Sequence, residues 1–111
     1  MDARRSEPRF ERRLAIELIV GEAVYAGETR DVSLGGLSVI AVAPIAFGQR
    51  VKLRFRLPAG KDPVEVDGEV RWTEGQAAGE QKFGLRFLGL RARDVWAMTK
   101  FLQTPGTPVA D

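Results

Sequence analysis

The stretch RVKLRFRL, residues 50–57, sets Val51, Leu53, Phe55 and Leu57 against Arg50, Lys52, Arg54 and Arg56 in strict alternation. A period of two sends successive side chains to opposite faces of an extended chain, so the segment reads as a strand with one face in a core and one in water. The rhythm continues outward in both directions. LAIELIV (14–20) aligns Leu14, Ile16, Leu18 and Val20, and KFGLRF (82–87) aligns Phe83, Leu85 and Phe87. In VEVDGEVRW (64–72), Val64, Val66, Val70 and Trp72 oppose Glu65, Asp67, Glu69 and Arg71, with Gly68 marking a bulge or a close approach. AVYAGETRDVS and LSVIAVA are rich enough in β-branched residues to be strands and are separated by LGG. Residues 44–48, 58–63 and 74–80 read as turns.

Six short strands with no helix between them predict an antiparallel sheet, and closure into a small barrel leaves few exposed edges. The exception to period two is RARDVWAMTKFLQ (91–103), where Val95, Met98 and Leu102 share a helical stripe and Trp96, Thr99 and Lys100 lie off it. The expected fold is all-β: a six-stranded antiparallel barrel with one C-terminal helix covering an open end or side. Trp96 reads as a partly buried structural residue. A flexible basic arm over 1–13, the barrel and helix over 14–103, and a flexible tail over 104–111 complete the organisation.

Composition removes several function classes. At 111 residues, 44% apolar and 29% charged, the chain is sized for one folded domain. It contains no cysteine and no histidine, which rules out disulfides, thiolate and imidazole chemistry, and most zinc sites. No membrane insertion is expected: LAIELIV is short and interrupted by Glu17, and the N-terminus lacks the apolar core of a signal peptide. The expected location is cytoplasmic. Glu65, Asp67 and Glu69 share one face, but with no neighbouring nucleophile they read as a polar surface, and no enzymatic activity is expected.

Charge is concentrated at the start. Residues 1–13 hold Arg4, Arg5, Arg9, Arg12 and Arg13 against Asp2, Glu7 and Glu11, a net of +2 that equals the formal charge of the whole chain. The cluster is all Arg and no Lys, which favours planar bidentate recognition over simple solvation. A second anomaly is RDVSLGG (30–36). Asp31 and Ser33 stand one strand period apart beside two glycines, so a carboxylate, a hydroxyl and open backbone N–H groups are expected to converge. A carboxylate accepts a pair of hydrogen bonds from the N1–H and N2–H₂ donors of guanine. Arginine donates a pair to guanine O6 and N7, or to phosphate oxygens. Together the two stretches suit a guanine nucleotide. A nucleic-acid polymer is disfavoured, because the later strands mix acids with bases and carry no exposed aromatic row.

RRSEPRF, with Arg5 and Arg9 in an RxxxR spacing and Arg4 adjacent, followed about twenty residues later by DVSLGG in the form D-x-S-x-G-G, resembles the two-part signature of PilZ domains, bacterial receptors for cyclic di-GMP. GEVRW and FGLRF also resemble later strands of that family, so the likeness spans roughly residues 4–102. The resemblance implies a six-stranded barrel whose arm wraps cyclic di-GMP, often as an intercalated dimer, against the barrel surface. It implies that Arg5 and Arg9 hold phosphates and guanine Hoogsteen edges, with Arg4 as a third, variable arginine. Asp31 matches the residue that reads the guanine Watson–Crick edge, and Ser33 the hydroxyl that supports base or phosphate. Gly36 matches the motif glycine, and Gly35 permits close approach. Trp72 lies where some members stack an aromatic on guanine, although its strand face suits a core Trp; both placements are compatible with the sequence. Arg9 and Arg13 repeat the RxxxR spacing, but Arg5 and Arg9 fit the distance to the first strand better, leaving Arg12 and Arg13 as solvated or supporting residues. The implied role is a non-catalytic receptor or adaptor acting on an unidentified protein partner. The alternative is a nucleotide-independent interaction module on the same fold.

Overall fold

A computed structural model describes residues 8–58, 60 and 62–103. Among these residues, seven strands and one α-helix follow in order, with a single 3₁₀ turn at Ala77–Gly79: β1 (Phe10–Glu11), β2 (Ala15–Val20), β3 (Ala23–Val32), β4 (Gly36–Ala41), β5 (Arg50–Phe55), β6 (Val64–Gly75), β7 (Gln81–Leu88) and α1 (Ala92–Gln103). The hydrogen-bonded order is β1-β3-β2-β5-β6-β7-β4, and β3 also pairs with β4, which closes six antiparallel strands into a barrel. β1 is the seventh strand. It pairs Phe10 with Val32 and Glu11 with Asp31, on the β2 side of β3.

Alternation builds the core as expected. Leu18, Val32, Val39, Leu53, Val70 and Phe83 are fully buried inside the barrel, and Met98 and Leu102 of α1 join the same cluster. The outer face of β5 and β6 is a charge ladder. Arg50 lies opposite Glu69, Lys52 opposite Asp67 and Arg54 opposite Glu65, the last pair 3.4 Å apart. β2 and β3 are joined by a two-residue hairpin with Gly21 at φ 63°, the left-handed geometry such a turn demands. Gly68 marks a close approach: a Cβ there would lie 2.9 Å from Leu53 Cδ1.

Two expectations change. α1 does not dock through Val95, which is 39% exposed; its buried stripe is Asp94, Met98 and Leu102. The carboxylate of Asp94 is tolerated there because Arg91 Nε donates to it at 3.2 Å and Arg93 lies 3.8 Å away. Trp96 is accordingly turned out to solvent, 66% exposed, beneath the ammonium of Lys100 at 4.9 Å.

The C-terminal part of the arm is held tightly. Thr29, fully buried, donates to the Arg12 carbonyl at 2.7 Å and accepts from the Leu14 N–H at 2.8 Å. The Arg12 guanidinium sits between two rings, 5.3 Å from the centre of Phe10 and 5.5 Å from that of Phe101. Arg12 therefore joins β1 to α1, a supporting role rather than a solvated one. Residues 1–7 and the tail from 104 lie outside the described residues.

Candidate functional site

The motif residues gather where β1, β3 and β4 meet. Arg9 donates to Asp31 Oδ1 through its guanidinium, a pair formed across 22 residues of sequence. Both partners are about one-third exposed, so the pair is open to solvent. Arg4 and Arg5 lie outside the described residues.

Asp31 follows a bulge. The register of β3 on β4 shifts between Thr29 and Asp31, leaving Arg30 as the extra residue. Beside that bulge the Asp31 N–H donates to Ser38 Oγ at 3.3 Å. Val32 and Leu37, the next pair, are core residues, so Asp31 and Ser38 occupy the outer side of the sheet.

Ser33 is placed differently from the expectation. The strand ends at Val32 and the chain turns, so period two no longer carries Ser33 to the face of Asp31. Ser33 is buried, and its Oγ accepts from the N–H groups of Gly35 at 3.1 Å and Gly36 at 3.2 Å while lying 3.2 Å from the Gly36 carbonyl, to which it donates. Its own N–H also donates to that carbonyl at 2.8 Å. The N–H groups expected to be open are thus engaged within the turn. Gly35 contributes its carbonyl to the Phe87 N–H at 2.8 Å, tying the turn to β7. A Cβ at Gly36 would lie 2.1 Å from the Leu85 carbonyl oxygen, so glycine is required for β4 to approach β7.

Trp72 is not a core residue. A register shift between Val70 and Trp72 makes Arg71 the extra residue of β6 and returns Trp72 to the outer surface, 40% exposed, while Val70 stays fully buried. Trp72 lies opposite Gly84 of β7, Gly84 opposite Ser38 of β4, and Ser38 opposite Asp31 of β3. One cross-strand row therefore joins Arg9 and Asp31 at one end to Trp72 at the other. Ser38 and Gly84, both missed by sequence reasoning, form its floor. The register of this row is not readable from sequence because it depends on both bulges.

The next row raises the positive charge. Gly36 faces Arg86, which faces Glu69; Arg86 and Arg71 lie 3.5 and 3.7 Å from the same Glu69 oxygen. Two guanidinium groups thus share one carboxylate beside the turn, a surplus suited to anionic ligands. Among the described residues no group of three or more acidic side chains could hold a metal ion, and no helix is long and apolar enough to cross a membrane.

Comparison with solved structures supports the architecture. The chain is similar to the motility inhibitor MotI/DgrA of Bacillus subtilis (TM-score 0.75, 21% identity, 92% of this chain and 51% of that one). It is also similar to the PilZ domain of YcgR from Escherichia coli, solved with c-di-GMP (TM-score 0.73, 13% identity, 90% and 89%). A third similar structure is MrkH, described as a c-di-GMP-dependent transcription regulatory factor (TM-score 0.71, 19% identity, 90% and 50%). The chain spans about half the length of MotI and of MrkH. No curated protein matches it closely. At these identities the structures establish the fold, and the family follows from a match of residues 3–103 to the PilZ domain model: the chain belongs to the PilZ domain family.

Proposed function

We propose that the protein is a non-catalytic receptor for cyclic di-GMP. The observation that carries this reading is the outer row that sets Asp31, already paired with Arg9, in register with an exposed Trp72. A guanine Watson–Crick edge offers the paired N–H donors that a carboxylate accepts, and it takes the place of Arg9 on Asp31. Arg9, with Arg4 and Arg5, then turns to phosphate oxygens and to guanine O6 and N7. Trp72 supplies the stacking surface. Ser33, Gly35 and Gly36 hold Asp31 at the right place by shaping the turn. The PilZ domain of YcgR was solved with c-di-GMP and MrkH is described as c-di-GMP-dependent, which supports a ligand of this kind. The ligand binds singly or as an intercalated dimer.

The consequence of binding is a changed surface for a partner protein. The segment that carries Arg9 continues into β1, and Arg12 links β1 to Phe101 of α1, so a ligand that engages Arg9 bears on the helix that exposes Trp96. Isothermal titration with cyclic di-GMP tests the reading. Wild type binds, and Arg9→Ala loses about ten-fold or more, the worth of one charge-assisted contact. No measurable wild-type binding overturns it.

The exposure of Trp96 favours a second reading, a nucleotide-independent interaction module acting through α1. A partner captured equally with and without cyclic di-GMP, and lost on Trp96→Ala, selects that alternative.

A further inference from the structure

Gly84 is buried although it lies on the outer side of β7, between the core residues Phe83 and Leu85. What covers it is the indole of its cross-strand partner. A Cβ built on Gly84 would lie 2.1 Å from Trp72 Nε1, 2.2 Å from Cε2 and 2.7 Å from Cζ2. These contacts are with ring atoms, not with the end of a flexible chain, so any side chain at this position displaces the indole as a whole. The backbone of Gly84 needs no unusual conformation, since its φ is not positive. The three atoms nearest to that Cβ all belong to the ring.

We propose that Gly84 is a positioning residue that seats Trp72 as a flat stacking surface beside the Asp31 end of the row. Two features combine. The bulge at Arg71 turns Trp72 outward, and the bare backbone of Gly84 lets the ring lie across β7 instead of standing off into solvent. Glycine covered by a cross-strand aromatic is a recurring way to fix such a ring. With the indole over β7, only β4 separates it from Asp31 on β3, two strand spacings or roughly 10 Å. A ring ordered before the ligand arrives does not have to be ordered by it, which lowers the entropic cost of stacking. The ligand part of this inference rests on the proposed cyclic di-GMP reading; the seating of the ring does not.

The test is a double-mutant cycle between Gly84→Ala and Trp72→Ala, with a ligand-free arm. For the ligand-free arm both proteins carry Trp96→Phe, so that Trp72 is the sole remaining tryptophan. Adding Gly84→Ala red-shifts its emission and increases acrylamide quenching; unchanged emission and quenching overturn the seating. In titrations with cyclic di-GMP, Gly84→Ala and Trp72→Ala each weaken binding by about ten-fold, and the double variant is no weaker than Trp72→Ala alone. An additional loss in the double variant overturns the claim that Gly84 acts through the ring. If Gly84→Ala is poorly folded, Trp72→Ala restores its melting temperature by removing the clash, and failure to restore it also counts against the proposal. Should wild type bind no cyclic di-GMP while the emission shift is seen, the functional reading falls and the seating of Trp72 by Gly84 stands.

Discussion

In the β3–β4 turn the polar groups of Ser33, Gly35 and Gly36 bond to one another or to β7, and Ser33 is buried. Three strands away on the outer row, Trp72 of β6 is 40% exposed and lies over the bare backbone of Gly84. The first region spends its chemistry on its own shape, whereas the second leaves a surface for something else to use. Ser33, Gly35 and Gly36, close together in sequence, build the frame of the turn, and the outer row is assembled from residues far apart in sequence. Substitutions should accordingly divide into those that lower stability together with binding and those that lower binding alone.

The largest effect is expected at the frame. Gly36→Ala places a methyl group against the backbone of β7 and should destabilise the fold by about 3 kcal/mol or more, measured by urea or thermal unfolding. A stable Gly36→Ala variant would remove the frame side of the contrast. Next, Ser33→Ala strips the acceptor from two N–H groups and should cost about 1–3 kcal/mol. If this variant keeps its stability yet loses cyclic di-GMP binding, Ser33 belongs with the contact surface instead.

On the other side, Asp31→Ala should weaken binding by about ten-fold or more while shifting stability by no more than about 0.5 kcal/mol, because its pair with Arg9 is partly exposed. A large loss of stability would move Asp31 into the frame. The smallest effect is expected at Arg12→Ala, about 1 kcal/mol from the lost contacts with Phe10 and Phe101, or a drop in melting temperature of about 4–8 °C. That variant should bind ligand with little change but loosen α1, read as faster amide exchange across Ala92–Gln103.

Much of the architecture was legible because it follows from one local rule. Alternation over 14–20, 50–57, 64–70 and 82–87 located four barrel strands and assigned their core faces. It failed at Trp72, where the extra residue Arg71 reverses the alternation, and at Ser33, where the strand has already ended. β1 escaped because two residues have no period. The stripe of α1 was misplaced because a buried carboxylate, Asp94, is admitted only by arginines that the stripe itself does not contain.

The sequence by itself determined the strand-rich barrel, the closing helix, the arginine cluster and the Asp31 turn, since each rests on residue type and short-range spacing. Tertiary structure alone decided which of those residues meet. The pairing of Arg9 with Asp31, the row from Asp31 through Ser38 and Gly84 to Trp72, and the stacking of Arg12 between Phe10 and Phe101 all depend on register. Register here is set by bulges at Arg30 and Arg71, and one extra residue in a strand changes which side chains share a face without changing the local pattern that precedes it.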